Sequence, residues 1–125
     1  MGFADEKFPS SSAFDVIDSV LSGSEAERKD AIKQANGVFA FTIKNKAGET
    51  KSWHVDLKES GRVGDGVGKP TVTLMLSDED FGKLVEGQAN PQRLFMSGKL
   101  KVKGDIMKAT KLDPIMKKAK SKAKL

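Results

Sequence analysis

The chain has 125 residues, of which 38% are hydrophobic and 31% are charged, and its net charge is +5. This length suits one domain with a substantial core. Cysteine is absent and histidine occurs once, which excludes disulfide scaffolds, thiol catalysis and metal sites built on paired histidines. No apolar run approaches the roughly 20 residues that span a bilayer, and the first residues do not resemble a secretory signal.

The charge is divided unevenly along the chain. Residues 1–98 carry 12 Lys and Arg against 15 Asp and Glu, whereas residues 99–125 carry 10 Lys against two Asp. The basic tail is either a solvated terminus or a contact for nucleic acid or an anionic membrane. We expect no nucleic-acid binding, because base stacking and base recognition usually use Arg and exposed aromatic side chains, which the tail lacks.

The first half of the chain predicts an arm, two helices and a hairpin. Residues 1–9 are expected to form a flexible arm, and serines at 10–12 are expected to cap the first helix. Ser24 and Glu27 form a capping-box pattern that opens the second helix. Apolar and polar residues then alternate in two strands, which predicts an antiparallel hairpin with one buried face. The predicted elements are helices 13–22 and 24–36 and strands 38–44 and 51–58.

The second half begins with a loop at 59–70 that contains four glycines and room for one short strand. Ser77 with Asp80, and Asn90 followed by Pro91, are typical of helix starts. The strict alternation of lysine in strand 99–103 predicts an edge strand that lysine protects from pairing with other chains. The predicted elements are strand 71–76, helices 77–87 and 91–96, strand 99–103 and a last helix after Asp105.

This order of elements predicts an α+β protein with about five helices and a mostly antiparallel sheet of five strands. Helices and strands occur in blocks, which disfavours a doubly wound fold. The sequence indicates no catalytic group: His54 lies on the polar side of its strand, with Asp56 two residues away. Acidic residues 78–80 are better explained as helix caps than as metal ligands. We therefore expect no enzyme activity, no metal and no cofactor.

The apolar residues of the second half include four of the five methionines, at positions 75, 96, 107 and 116. Methionine fills gaps in a core and also lines deformable cavities, and the pattern leaves both possibilities open. The last three residues, Ala123, Lys124 and Leu125, belong to the class of C-terminal peroxisomal addresses. They predict a peroxisomal location.

Five segments together resemble the sterol carrier protein 2 family, the non-specific lipid-transfer proteins. The resemblance extends over residues 10–125, and its most specific part is the stretch at 98–104. A terminal Ala-Lys-Leu is also typical of this family and of its small peroxisomal members from fungi. The segments are 37–41, 53–58, 77–81, 90–92 and 95–105.

The resemblance implies a sheet covered on one face by helices, with a hydrophobic lipid tunnel between the layers. It implies a lipid-binding domain at 10–119 and a basic tail at 120–125. Members bind fatty acids, fatty acyl-CoA, sterols and phospholipids with low selectivity and move them between membranes without catalysis. We further expect a monomer that binds the peroxisomal import receptor through the last three residues and touches anionic membranes transiently.

The expected ligand-binding residues combine apolar positions of the second half with a few flanking side chains. Gln92 and Arg93 are either head-group contacts or a solvated helix start. The full expected set is Ile17, Trp53, Leu74, Leu76, Phe81, Leu84, Gln92, Arg93, Leu94, Phe95, Leu100, Met107, Ile115 and Met116. Two alternatives remain: an enzyme of fatty-acid breakdown, and a basic-tailed domain that binds nucleic acid or a membrane surface.

Overall fold

The computed structural model describes residues 5–86, 88–105 and 107. A short 3-10 helix at Pro9–Ser11 precedes the regular elements. The described α-helices are α1 (Ser12–Gly23), α2 (Glu25–Ala35), α3 (Asp78–Val85) and α4 (Pro91–Met96). The described strands are β1 (Gly37–Lys44), β2 (Thr50–Leu57), β3 (Arg62–Asp65), β4 (Val72–Ser77) and β5 (Lys101–Gly104).

The α+β class is confirmed, and the predicted elements agree with the structure to within about two residues. The described residues contain four α-helices where about five helices were expected. The predicted last helix lies, apart from Met107, outside the described residues. The short strand allowed for in the glycine-rich loop is β3.

The capping signals of three helices are confirmed by hydrogen bonds. The Ser24 hydroxyl accepts from the Glu27 N–H at 3.3 Å, and the Ser77 hydroxyl accepts from the Asp80 N–H at 3.1 Å. The Asn90 side chain accepts from the Gln92 N–H at 2.8 Å. Each cap satisfies a donor that has no partner within its own helix. At α1 the Ser11 side chain makes no cap.

The five strands form one sheet in the order β3-β2-β1-β4-β5. Three neighbouring pairs are antiparallel, and β1 pairs with β4 in parallel. The expectation of a mostly antiparallel sheet is therefore confirmed. Strand β5 lies at an edge, and Lys101 and Lys103 are exposed there, as the lysine alternation predicts.

The core lies between the helices and one face of the sheet. Phe41 of the central strand is opposite Trp53 on one side and Leu74 on the other. Alternate residues of β1, β2 and β4 point to this face and are buried with apolar residues of the helices. Among the members of this cluster are Phe14, Ile17, Phe39, Ile43, Val55, Leu57, Val72, Leu76, Phe81 and Leu84.

Residues 5–9, the described part of the arm predicted over 1–9, pack onto the domain, and the flexibility of the arm stays a prediction. Phe8 is only 3% exposed, and its ring meets the Trp53 ring edge-on at 5.6 Å. The Ser10 N–H donates to the Asp78 carboxylate at 2.9 Å, and the Ser10 hydroxyl donates to the Asp78 carbonyl at 2.8 Å. The described part of this segment thus contributes one aromatic side chain, Phe8, to the core.

Among the described residues, no helix has the length and apolar character that a membrane crossing requires.

Candidate functional site

The polar face of the sheet holds the single histidine, but the surrounding contacts are structural. His54 Nδ1 donates to the Gly66 carbonyl at 2.9 Å. Asp56 accepts from the backbone of Lys58 and Glu59 and from the Ser60 hydroxyl. Partial burial raises the pKa of Asp56, but these hydrogen bonds outweigh it and leave the pKa below its ordinary value. Asp56 thus holds the turn that follows β2, and His54 holds the loop that follows β3.

Eight of the expected ligand-binding residues are buried in the apolar core. They lie on the inner face of the sheet, on α1, on α3, and at the passage from α4 to β5. They are Ile17, Trp53, Leu74, Leu76, Phe81, Leu84, Leu94 and Leu100. Sequence periodicity therefore identified the apolar layer correctly. Which of these side chains a ligand would touch stays a prediction.

Two members of this set belong to a compact aromatic stack. The Phe14 ring lies between the rings of Trp53 and Phe81, with 4.9 Å between centroids and 17° between planes on both sides. Phe14 also meets Phe41 edge-on at 5.5 Å. Such ring pairs each stabilise a fold by about 0.5–1.5 kcal/mol beyond area burial. The stack fills the core above β1 and β2.

Burial decreases from the aromatic stack toward the β5 edge. Val102 is opposite Leu74 on the inner face, yet it is only half-buried and packs at the margin of the core with Val85 and Ala89. The Leu100 N–H donates to the Leu94 carbonyl at 3.0 Å, which holds the start of β5 against α4. Val102 thus lies at a partly exposed margin of the core.

Three of the four exposed large apolar residues in the described part of the chain lie beside β5. Phe95 is 45% exposed, Met96 85% and Met107 76%, whereas Val67 lies in the glycine-rich loop. Phe95 and Met96 come just before β5 and Met107 just after it, so they mark both ends of a strand about 13 Å long. Val102, which is half-buried, lies within that strand.

Met96 was missed as a candidate from the sequence. The available signal was the run Leu94, Phe95 and Met96 in a helix of six residues. Successive helical residues point about 100° apart, so one turn cannot bury all three. The structure buries Leu94 and leaves the other two exposed.

The remaining expected residues are the two polar ligand-binding candidates on α4 and those near the end of the chain. Gln92 and Arg93 are exposed on α4, where the Arg93 carbonyl accepts from the Ser97 N–H at 3.0 Å. Arg93 thus precedes Phe95 and Met96 by two and three residues in the same helix. Ile115, Met116, Ala123, Lys124 and Leu125 lie outside the described residues.

Two surface clefts in the described part of the chain are lined mostly by residues of the polar and charged types. A cleft of about 490 Å³ lies between the N-terminal segment, the β1–β2 turn and the start of α3. A second, of about 270 Å³, lies beside His54 on the polar face of the sheet.

Comparison with known proteins places these features in a family. The model of the SCP-2 sterol transfer family matches residues 17–117. A protein of Yarrowia lipolytica named fatty acid-binding protein is 51% identical over 120 residues, covering 91% of this chain and 93% of the relative. An oleate-induced peroxisomal protein of Candida maltosa is 43% identical over 104 residues, covering 81% of this chain and 82% of the relative.

One solved structure is similar to this chain in both fold and sequence. Sterol carrier protein 2 from Yarrowia lipolytica, in its apo form, superposes with a TM-score of 0.88 at 47% identity. The match covers 96% of this chain and 98% of that chain. The fold, the family match and these relatives agree: the chain belongs to the SCP-2 sterol transfer family.

Proposed function

We propose that this protein binds fatty acids and related lipids non-covalently and carries them between membranes without changing them chemically. The observation that carries the proposal is that exposed apolar side chains flank β5 in the chain, with Phe95 and Met96 before the strand and Met107 after it. A soluble domain keeps such apolar surface at a cost, and it commonly marks a binding site. The name of the Yarrowia lipolytica relative supports fatty acids as ligands.

The proposed site lies between β4, β5 and α4, with the acyl chain against Leu74, Leu84 and Leu94. The aromatic stack would support this wall from behind. Burying a chain contributes about 0.8 kcal/mol per CH₂ before ordering costs. A chain of about 16 carbons can then reach micromolar affinity, about −8 kcal/mol, with no specific hydrogen bond. Broad selectivity among fatty acids, fatty acyl-CoA, sterols and phospholipids follows from this.

Arg93 and Gln92 supply the polar end of the proposed site. Both are exposed one turn before the exposed apolar residues of α4, where a carboxylate or phosphate can stay hydrated while its chain is buried. Arginine pairs with both groups through parallel hydrogen bonds. We propose the peroxisome as the location, supported by the name of the Candida maltosa relative and by the terminal tripeptide.

Displacement of a fluorescent fatty acid from delipidated protein tests the proposal. Palmitate, palmitoyl-CoA, a sterol and a phospholipid are each added as competitors. We expect saturable binding and displacement by several of them. Phe95→Ser should weaken palmitate binding about tenfold, because it removes about 1.5 kcal/mol of apolar contact.

Val67→Ser is the matched control, because Val67 is 40% exposed and lies away from β5. It should leave the affinity unchanged. Absence of saturable binding to folded protein would contradict lipid binding. Equal losses in the two variants would contradict the proposed position of the site.

A further inference from the structure

The floor of the proposed lipid site can be followed inward from the partly exposed margin of the core. On the inner face of the sheet, Val102 of β5 is opposite Leu74 of β4, and Leu74 is opposite Phe41 of β1. Val102 is half-buried, whereas Leu74 and Phe41 are fully buried. Because neighbouring strands are about 4.8 Å apart, the floor reaches Phe41 about 10 Å inward from Val102.

Helix α3 forms the roof above this floor and shows the same gradient of burial. The helix contacts both β4 and β1. Leu84 and Val85 follow Phe81 by three and four residues, so the three side chains share one face of the helix. Phe81 and Leu84 are buried, and Val85 packs at the half-buried margin of the core. The roof therefore also leads from the margin to a phenylalanine.

Floor and roof end at two phenylalanine rings, Phe41 and Phe81, which we define as the ring pair. Their centroids are 5.5 Å apart. Behind them the Phe14 ring contacts both, at 5.5 Å from Phe41 and 4.9 Å from Phe81, and the rings of Trp53 and Phe8 follow. These separations are those of rings in direct contact. An acyl chain that advances between β4 and α3 therefore meets packed rings at this point.

We propose that the ring pair closes the inner end of the lipid site and thereby sets the acyl-chain length that the protein binds best. The inference rests on the proposed lipid binding between β4, β5 and α4, and it adds the residues that limit the chain. Each methylene buried in front of the rings raises the affinity about fourfold, which corresponds to about 0.8 kcal/mol. Carbons beyond that length find no room in the core and add no affinity.

The row of rings supplies a matched pair of positions for substitution. Phe81 is its front ring, and removing that ring lengthens the space between floor and roof. Phe8 is the ring at the opposite end, 5.6 Å from Trp53 and only 3% exposed. The same substitution at Phe8 opens space that an acyl chain cannot reach, because Phe14 and Trp53 stand in between. The two positions thus separate the length of the lipid site from a general loosening of the core.

The test is displacement of a fluorescent fatty acid from the delipidated full chain by saturated fatty acids of increasing length, from about 8 to about 22 carbons. The variants are Phe81→Ala and the milder Phe81→Leu. Their controls are Phe8→Ala and Phe8→Leu, which remove the same atoms from the far end of the row. Thermal unfolding shows which variants are folded, and the leucine pair decides the outcome where an alanine variant does not fold.

We expect the wild-type affinity to rise about fourfold per carbon and then to level off at a defined chain length. Phe81→Ala should move this limit by about two carbons, so that the ratio of long-chain to short-chain affinity rises about tenfold or more. Phe81→Leu should move it by about one carbon, a change of about fourfold in the same ratio. Both Phe8 variants should keep the wild-type limit. A general loss of affinity cancels in this ratio, because both chain lengths are measured on one protein.

An unchanged limit in the folded Phe81 variants would overturn the proposal, because the front ring would then not bound the chain. Equal shifts in the Phe81 and Phe8 variants would overturn it too, since a looser core alone would explain them. So would a wild-type affinity that rises over the whole series without levelling off. Absence of saturable binding to the wild-type protein would contradict lipid binding itself, whereas binding with an unchanged length profile contradicts only the role of the ring pair.

Discussion

Gly104, at the end of β5, shows how a single residue fixes the path of the chain. Its φ is +96°, a conformation that costs little for glycine and strains other residues. A Cβ at this position would also lie 2.6 Å from the Thr71 carbonyl oxygen, a backbone atom that cannot move aside. No residue with a side chain fits here without displacing β4 or β5.

Gly104→Ala is expected to destabilise the fold by about 3 kcal/mol, from the strained φ and the contact with Thr71. Urea unfolding monitored by Trp53 fluorescence measures the change. Gly48→Ala is the control, because Gly48 has φ +87° but a Cβ there would meet nothing within 4 Å. It should cost about 1–2 kcal/mol. Equal costs would contradict the role of the Thr71 contact.

Asp18 makes an interaction whose contribution to stability depends on pH. It accepts from Arg62 Nε at 2.8 Å, from Arg62 Nη2 at 3.0 Å and from the Val63 N–H at 3.2 Å. The Arg62 hydrogen bonds, followed by that of Val63, hold the pKa of Asp18 below its ordinary value of 3.8 against the opposing effect of burial. The charged carboxylate therefore ties α1 to β3.

Asp18→Asn should lower the free energy of unfolding by about 1 kcal/mol at about pH 7. Because the folded pKa lies below the unfolded one, this stability is fully present above the unfolded pKa. It is lost as the pH falls through the folded pKa. The difference between the two proteins should therefore shrink in acid, as measured by urea unfolding from about pH 7 to about pH 2.

The exposed pair between Glu25 and Lys29 supplies the control for this prediction. Glu25→Gln should change stability by less than about 0.5 kcal/mol at about pH 7. A difference for Asp18→Asn that stays constant over the whole acid range would show that its charge is not what stabilises the contact.

At the scale of elements, the N-terminal segment is part of the core although no regular strand or long helix contains it. Phe8 packs on Trp53, and Ser10 binds the first turn of α3 through Asp78. Ser11 is buried, and its hydroxyl donates to the Phe8 carbonyl at 2.6 Å. Because of these contacts, we expect this short segment to unfold together with the domain.

Phe8→Ala is expected to destabilise the protein by about 3 kcal/mol, as truncations of buried phenylalanine do. The emission of Trp53, the single tryptophan, should shift to longer wavelength as water reaches its ring. Lys7→Ala changes an exposed neighbour whose ion pair with Glu49 is long, at 3.5 Å, and should have little effect. If the segment were a flexible arm, Phe8→Ala and Lys7→Ala would have the same stability and the same Trp53 emission.

At the scale of the whole molecule, lipid binding and location are proposed to use separate parts of the chain. The proposed lipid site lies between β4, β5 and α4, whereas the proposed targeting signal is the final tripeptide. Deleting residues 123–125 should leave palmitate affinity unchanged and abolish peroxisomal import. Microscopy of a fusion that carries a fluorescent protein at its N-terminus checks import, and fatty-acid displacement checks affinity. Import that persists would contradict the targeting proposal.

The sequence by itself determined the described helices and strands, the caps of α2, α3 and α4, and the family. These features depend on neighbours within a few residues. Ser24 caps α2 by accepting a hydrogen bond from the Glu27 N–H three positions later. The alternation of apolar and polar residues in β1 and β2 identifies one apolar face. The lysines of β5 likewise predicted an edge strand. Such short-range rules act before the chain is compact, so the sequence expresses them directly.

Only the tertiary structure decided which apolar residues are buried and which partners meet over long distances. Leu94 is buried while the adjacent Phe95 and Met96 are exposed, although all three have similar hydrophobicity. The docking of Phe8 on Trp53 and the pairing of Asp18 with Arg62 join residues that are far apart in the chain. Burial depends on the space left by every other element, and no local pattern contains that information.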